Sequence, residues 1–315
     1  MIRTVARLTF RMHRFEVGAL VVLGGLLLLG SVALGLLLAS VGLGPECQPS
    51  EFQEVPEACL SSYIRFQEIS GSAGPVVLLT TFFPFLGGLL VGGPVIAREI
   101  ERGTTALAWS MSASRLRWYL QRVVPIALLL LVVGFIVGAA ADHLQHSLSP
   151  TTDMATSFMG FRYRGVLVAT EAFVMFGAAA VVGALFGRAV PTFLLALILG
   201  GLAIVAIGKV HERVLLVPEA ELRPSEVFFG GPSGNKDFFI ESRYRLPDGR
   251  LVTYNELVVI DPAVQMGEYN YPSLSLIIPG ERYRFVEARE GLADMGIGLV
   301  FLAGAAVVVL RRRPT

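Results

Sequence analysis

Long apolar runs alternate with short polar stretches along this chain. A helix needs about 20 mostly apolar residues to cross the ~30 Å hydrocarbon core of a bilayer. Six runs approach or exceed this length, and the fifth is the shortest of them. The runs are Val17–Leu43, Pro75–Ala97, Val123–Ala141, Gly165–Phe186, Pro191–Gly208 and Gly291–Leu310. The pattern predicts an all-α polytopic membrane protein with six transmembrane helices.

The longest polar stretch, residues 209–290, separates the fifth run from the sixth. Within it, Phe238–Leu246 and Arg250–Ile260 are rich in aromatic and β-branched residues. Pro247, Asp248 and Gly249 lie between them and predict a hairpin turn. We therefore expect a small β-containing domain outside the membrane, and divide the chain into residues 1–16, 17–208, 209–290 and 291–315.

Composition agrees with a membrane protein. Hydrophobic residues make up 54% of the chain and charged residues 16%, and the mean hydropathy is +0.65. Soluble domains carry about 25% charged residues. The first run is longer than the apolar part of a signal peptide, so it is predicted to be retained. The net charge of +1 argues neither for nor against nucleic acid, and no nucleic-acid partner is predicted.

The positions of the basic residues predict the orientation, because short cytoplasmic loops carry an excess of Lys and Arg. Four arginine-containing stretches fall on one side of an even number of spans, which places both termini in the cytoplasm. We expect the protein in the cytoplasmic membrane of a bacterium. The arginines are Arg3, Arg7, Arg11, Arg14, Arg98, Arg102, Arg115, Arg117, Arg122, Arg188, Arg311, Arg312 and Arg313.

The first arginines also recur with a helical period. Arg3, Arg7, Arg11 and Arg14 stand at i, i+4, i+8 and i+11, on one face of a helix. This predicts an amphipathic helix over residues 1–16 that lies in the anionic inner interface of the bilayer. The alternative is an ordinary positive flank that only sets the topology.

Two loops outside the membrane hold residues with possible chemistry. Cys47 and Cys59 lie in the first loop, residues 44–74, and their compartment favours a disulfide over two free thiols or half of a metal site. His143 and His146 follow Asp142 in the second loop. They have the i, i+3 spacing of metal ligands, but the spacing fixes no third strong ligand, and solvated polar groups are favoured over a metal site.

The interior of the spans is expected to hold one ionisable residue, Glu171 in the fourth. A carboxyl group at that depth is costly and faces protein or a water-filled cavity. One interpretation is a residue of a translocation pathway. The other is a structural contact, with a neighbouring helix or with Arg162 or Arg164 near the interface.

The segment from 97 to 122 has the most specific sequence, AREIERGTTALAWSMSASRLRWYLQR. The second helix is expected to reach Arg102 and to end at Gly103. Thr104 or Thr105 then caps a short helix that runs through Trp109, and Ser112 or Ser114 caps the third span. This short helix has an apolar face that includes Leu107, with charged residues around it. Such a surface predicts docking to a cytoplasmic partner.

At these residues the chain resembles type-2 ATP-binding-cassette (ABC) export permeases, notably those of actinobacteria. Two other stretches are similar to the same family: FRMHRFE, and FRYRGVLVATEAFVMFGAAAVVGALFGRAVP in the fourth span. The resemblance covers most of the membrane domain and is weak over residues 209–290. Ser110 and Met111 stand where the family often has Gln. The matching positions are Ala97, Arg98, Glu99, Glu101, Gly103, Thr104, Leu107, Ala108, Trp109, Arg115, Arg117 and Trp118.

The resemblance implies a permease subunit that pairs with a second permease chain, identical or related, and docks on two cytoplasmic ABC ATPase subunits. The partner subunits would bind ATP and Mg, and this chain is expected to hold no cofactor. It has no Walker A sequence, so it is not itself the ATPase. The residues assigned to ATPase coupling are Arg98, Glu99, Glu101, Arg102, Gly103, Thr104, Leu107, Trp109 and Arg115.

The implied function is outward movement of an amphiphilic substrate, such as a drug, a lipid or a peptide-like molecule. A different function remains open, in which a non-transporting membrane anchor or receptor relays a signal through an ABC-type ATPase. An intramembrane enzyme is disfavoured, because Glu171 lacks the second catalytic group that such chemistry requires.

Overall fold

The computed structural model describes residues 9–44, 47, 55–103, 114–210, 220–224, 236–266 and 271–312. Within these residues, six helices are long and apolar enough to cross a membrane. They confirm the predicted fold class, and we number them as spans one to six. The spans are α1 (Arg14–Val41), α3 (Gly74–Glu101), α4 (Arg115–Leu148), α5 (Leu167–Phe186), α6 (Ala189–Val210) and α8 (Tyr283–Arg311).

Most spans extend beyond the apolar runs that predicted them. The third span has 34 residues, which corresponds to a length of about 51 Å. A further helix, α2 (Leu60–Ser72), comes before the second span and was not predicted. Phe66 of α2 packs with Leu38 of the first span and Leu144 of the third. The helical structure therefore continues past the second span at this end of the bundle.

The fourth span is the centre of the membrane domain, because the second and third spans approach its backbone closely. A Cβ atom at Gly88 would lie 2.5 Å from the carbonyl oxygen of Ala172, and one at Gly92 would lie 2.7 Å from that of Phe176. In the third span, a Cβ atom at Gly134 would lie 2.7 Å from the Cα atom of Ala169, and one at Gly138 would lie 2.0 Å from the oxygen of Gly165, just before the fourth span. Only glycine permits these approaches.

The first and fifth spans lie at the outside of the bundle. The first exposes Phe15, Val22, Leu26, Leu29 and Leu36 along one stripe, and the fifth exposes Leu194, Ile198, Leu202 and Val205 along another. Apolar side chains on such stripes face either lipid or another membrane helix.

The sheet domain follows the fifth span. Its strands are β1 (Glu221–Pro224), β2 (Phe238–Arg245), β3 (Leu251–Thr253) and β4 (Ser273–Ile278), in the antiparallel order β1-β4-β2-β3. Glu221 pairs with Ile277, and Arg245 pairs with Leu251. Gly249 has a φ of 85°, in keeping with the predicted turn.

The prediction of a second strand in this domain, over Arg250–Ile260, is wrong after Thr253. Residues Tyr254–Ile260 form a helix, α7. The hydroxyl of Thr253 accepts a hydrogen bond from the backbone of Glu256, and the Glu256 carboxylate accepts one from the backbone of Thr253. This reciprocal capping box starts a helix despite the β-branched residues that follow.

Aromatic rings join the sheet domain to the spans. Phe238 of β2 lies 5.5 Å from Phe158, which lies 5.5 Å from Tyr283 at the start of the sixth span (ring-centre distances). The backbone N–H of Gly280 also donates to the carboxylate of Asp237 at 2.9 Å. We call this end of the bundle the sheet side, and the opposite end, where the described termini lie, the terminus side.

Two predictions concern the ends of the first span. Cys47 and Cys59 form a disulfide, with Cα atoms 5.3 Å apart. At the other end, Arg3 and Arg7 lie outside the described residues, so the helix over residues 1–16 stays a prediction. Residues 9–12 are helical, and Arg11 and Arg14 are exposed.

Candidate functional site

The segment predicted to couple to an ATPase is described on both flanks, residues 98–103 and 114–122. Thr104, Leu107 and Trp109, with the predicted short helix, lie outside the described residues. The second span ends at Glu101, and Gly103 follows with a φ of 67°. Ser114 caps the third span, because its side chain accepts a hydrogen bond from the backbone N–H of Arg117 at 3.1 Å. The sequence thus marks both edges of the segment.

Two ion pairs link the first flank to neighbouring spans. Arg98 pairs with Glu16, at the start of the first span. Glu99 accepts a hydrogen bond from the Nε of Arg122, in the third span, at 2.8 Å. Both carboxylates are buried, and a buried carboxylate without a cation is strongly destabilising. These pairs therefore hold the ends of the first three spans together.

Further contacts reach the remaining spans. The carboxylate of Glu101 accepts a hydrogen bond from the backbone N–H of Ala189, the first residue of the fifth span, at 3.2 Å. Arg115 donates to the carbonyl oxygens of Leu310 and Arg312 at 3.0 and 2.8 Å. Arg312 donates to the carbonyl oxygen of Ala184, in the fourth span, at 2.6 Å.

We call this set of contacts the span junction. It comprises the two described flanks together with Glu16, Ala184, Ala189, Leu310 and Arg312. The sequence predicted Arg98, Glu99, Glu101 and Arg115 as part of a surface for a partner. The structure also places them in contacts within the chain, whereas Arg102 is exposed.

His13 lies buried beside the span junction. Its Nε2 atom has no hydrogen-bond partner among the described residues. Burial lowers the pKa of the His13 imidazole, and the guanidinium groups of Arg122, Arg98 and Arg102 lower it further, against an opposing effect of Glu16. A neutral imidazole is therefore favoured at this position.

On the sheet side, Arg164 is completely buried. Its guanidinium pairs with Asp142, donates to the carbonyl oxygens of Met159 at 2.7 Å and Met154 at 3.1 Å, and also donates to that of Ser157. It lies 4.3 Å from the ring centre of Tyr283. Arg164 thus ties the third span, the following loop and the sixth span together, a role that its position at a span boundary did not reveal.

Glu171 contacts one of the two arginines considered for it. Its carboxylate lies 3.8 Å from the Nη1 of Arg162, whose Nη2 donates to Glu290 at 2.9 Å. This contact agrees with the interpretation of Glu171 as a structural residue that pairs with Arg162 or Arg164. No channel is described beside it, and a pathway role stays a prediction.

The expectation of a single ionisable residue inside the spans is wrong. Asp294 lies within the sixth span, is buried and accepts a hydrogen bond from the Thr170 hydroxyl at 3.1 Å. Glu287 and Glu290 are also buried, because the sixth span begins at Tyr283, eight residues before the apolar run. Asp294 lies within the sixth apolar run, so the sequence alone could have identified it. The two glutamates could not be identified in this way, because they were assigned to the preceding loop.

His143 and His146 were predicted to lie in the second loop, but they belong to the last two turns of the third span, and the neighbouring Asp142 pairs with Arg164. A Cβ atom at Gly35 would lie 2.7 Å from the Nε2 of His143, so this histidine packs against the first span. Across the described part of the chain, no group of three or more His, Cys, Asp or Glu residues is placed to hold a metal ion.

Comparison with known proteins adds one finding. No curated protein and no solved structure matches this chain. A family model described as "ABC-2 membrane transporter related" matches residues 17–211, which include all but the first three residues of the first span, the next four spans and the whole segment between the second and third. Since the match covers more than half of the sequence and six membrane-spanning helices are present, the chain belongs to the ABC-2 membrane transporter related family.

Proposed function

We propose that this chain is the permease subunit of an ABC exporter, which moves an amphiphilic substrate outward with energy from separate ATPase subunits. The span junction is the observation that carries the proposal. The flanks of one short segment hold the ends of the first, third, fifth and sixth spans. A partner that displaces this segment therefore acts on most of the bundle at once.

The transmission has a direct physical path. The Glu99–Arg122 pair connects the second span to the third, and the Glu101 carboxylate connects it to the fifth. Arg115 connects the third span to the end of the sixth. A force on the described flanks, residues 98–103 and 114–122, reaches these helices through hydrogen bonds.

The terminus side is the cytoplasmic side in this proposal, because its short segments are rich in arginine. The ATPase subunits, which bind ATP and Mg, dock there, and the membrane is the bacterial cytoplasmic membrane. The sheet domain and the disulfide of Cys47 and Cys59 then lie outside, where oxidising conditions favour disulfides.

A second permease chain completes the pathway. The exposed stripes of the first and fifth spans include Gly18, Gly25 and Gly201, and a Cβ atom at any of them would meet no atom within 4 Å. Small residues on an exposed membrane helix permit close approach of another helix. We infer that two copies, or two related chains, pair through these stripes and that the substrate passes along their interface, with Glu171 set back from it.

The test separates docking from transmission. Arg102→Glu reverses an exposed charge at the edge of the segment and leaves the contacts of the span junction in place, and we expect the ATPase to bind about tenfold more weakly. Glu99→Gln changes a buried contact within the permease instead. It is expected to keep ATPase binding while lowering the substrate moved per ATP hydrolysed. Copurification and transport in vesicles measure the two quantities.

Arg250→Gln is the matched control, because Arg250 is exposed and lies on the sheet side, away from the segment. It should change neither quantity. Normal copurification and normal transport in Arg102→Glu would contradict the docking assignment. Transport by Glu99→Gln at the unaltered ratio to ATP turnover would contradict the transmission path.

A further inference from the structure

The fourth and sixth spans enclose Asp294 between them. Only 2% of its surface is exposed, as is 2% of that of Thr170 in the fourth span. One turn earlier in the sixth span, a Cβ atom at Gly291 would lie 3.7 Å from the methyl carbon of Thr170. One turn later, a Cβ atom at Gly298 would lie 2.4 Å from the ring of Phe173. The two helices therefore meet on both sides of the Asp294 carboxyl group, and protein surrounds it.

The charges around Asp294 do not balance if every carboxyl group is ionised. The charged groups that act on it are Glu290 of its own helix, Glu171 of the fourth span and Arg162 of the preceding loop. Glu290 holds the Arg162 guanidinium at 2.9 Å, and Glu171 lies 3.8 Å from it. Three carboxylates would thus face one guanidinium, and Asp294 is the carboxylate left without a close cation among the described residues.

The hydroxyl of Thr170 has one proton and two neighbouring oxygen atoms. Its Oγ1 atom lies 3.1 Å from the Oδ2 of Asp294 and 3.3 Å from the carbonyl oxygen of Leu167. If Asp294 is ionised, both neighbours are acceptors, and the single proton satisfies only one of them. If Asp294 is protonated, its O–H donates to Oγ1 and the hydroxyl donates to Leu167, as threonine in a helix commonly does. The neutral acid therefore satisfies each of these groups.

We propose that Asp294 is a proton-binding site, which holds its proton at neutral pH and joins the sixth span to the fourth through a hydrogen bond to Thr170. Loss of the proton leaves a buried carboxylate without a cation, which is strongly destabilising. The contact between the two spans is then weakened as the pH rises. The inference goes beyond the proposed function and does not depend on it, because it involves neither an ATPase nor a transported substrate.

Infrared spectroscopy of the purified full-length chain in detergent detects this proton, because a neutral carboxyl group has a C=O stretching band that a carboxylate lacks. The spectrum of the unaltered chain minus that of Asp294→Asn should contain one such band at pH 7. Glu290→Gln is the matched control, because Glu290 lies one turn away and has a close guanidinium partner. Its difference spectrum should contain no such band.

Two changes at Thr170 test the hydrogen bond between the spans. Thr170→Val removes the acceptor and keeps the size of the side chain, so the Asp294 band should shift to higher frequency. Thr170→Ser keeps the hydroxyl and should leave the band in place. This pair also identifies the band if Asp294→Asn does not fold, because neither change removes a carboxyl group.

Thermal unfolding measures the consequence for packing. The folded state holds the proton over a pH range in which the unfolded chain has released it, so stability should fall as the pH rises through that range. Asp294→Asn does not titrate, and its amide can donate to Thr170 as the neutral acid does. Between pH 5 and pH 8, the melting temperature of the unaltered chain should therefore fall by a few degrees relative to that of Asp294→Asn.

Three results would overturn the proposal. Absence of a neutral-carboxyl band from the Asp294→Asn difference spectrum would show that Asp294 is ionised. A band that is lost in Glu171→Gln and kept in Asp294→Asn would assign the proton to Glu171 instead. An Asp294 band that Thr170→Val leaves unshifted would show that the proton does not join the two spans.

Discussion

The two ends of the bundle use buried charge in different ways. On the terminus side, Glu16 and Glu99 are each paired with an arginine of their own, Arg98 and Arg122. On the sheet side, Glu171 and Glu290 share Arg162, and Asp294 is held by the hydroxyl of Thr170. Arg164, another arginine on that side, is fully buried and binds mainly carbonyl oxygens.

The difference matches what each end has to do in the proposed exporter. A one-to-one pair has fewer contacts to break when the span junction moves than a guanidinium that several groups hold. A guanidinium enclosed by carbonyl oxygens cannot leave without exposing all of them. The comparison indicates a movable terminus side and a fixed sheet side.

Loss of Arg164 should have the largest effect. Arg164→Leu leaves Asp142 and the carbonyl oxygens of Met154, Ser157 and Met159 without their donor, and we expect a loss of about 3–5 kcal/mol of stability. Thermal unfolding in detergent measures it. Arg250→Gln is the control, because Arg250 and its partner Asp248 are both exposed, and it should cost under about 1 kcal/mol. Equal effects of the two variants would contradict a fixed sheet side.

A smaller effect should distinguish the two carboxylates that share Arg162. Glu290→Gln weakens the close contact, at 2.9 Å, and should cost about 2 kcal/mol of stability. Glu171→Gln weakens only the 3.8 Å contact and relieves repulsion among neighbouring carboxylates, so it should be neutral within about 0.5 kcal/mol. Chemical unfolding of both variants provides the comparison. A more damaging Glu171→Gln would show that the charge of Glu171 is itself required.

The smallest predicted effect concerns pH at the terminus side. Because burial lowers the pKa of His13, the neutral imidazole contributes its full stabilisation of the folded state at pH values above the ordinary pKa of histidine. This stabilisation is lost as the pH falls through the lowered pKa of the folded state. Between pH 8 and pH 5, hydrogen exchange in residues 9–16 should therefore increase a few-fold after correction for the intrinsic rate.

His13→Gln should remove this dependence, since glutamine does not titrate in this range. A peptide from residues 251–260 on the sheet side is the internal control, because its sequence contains no histidine. Equal acceleration of exchange in both peptides would show a general effect of acid and would contradict a local response at His13.

Much of the fold could be predicted because the bilayer imposes a length on every span. The apolar runs identified all six spans, and glycine and serine marked the ends of the helices around residues 98–122. The sequence failed where tertiary contacts compensate for polarity. Glu287 and Glu290 precede the sixth apolar run in the sequence. The helix of the sixth span nevertheless includes them, because Arg284 and Arg162 neutralise their charges.

The candidate site was less predictable than the spans. Periodicity and charge placed Arg98, Glu99, Glu101 and Arg115 in one segment, but not their partners. Glu16 is 82 residues from Arg98 in the sequence, and Leu310 is 195 from Arg115. No local pattern specifies such pairings. The same holds for Arg164, whose guanidinium is buried among three carbonyl oxygens of the loop that precedes it.

The glycine contacts of the fourth span set the mechanical stiffness of the bundle. Where backbone touches backbone at Gly88, Gly92 and Gly138, no flexible side chain lies between the helices to absorb sliding. A Cβ atom at Gly177 would likewise lie 2.7 Å from the oxygen of Gly298 in the sixth span. The second, third and sixth spans therefore resist sliding against the fourth, whereas Gly24 of the first span and Gly200 of the fifth meet the side chains of Val133 and Met175.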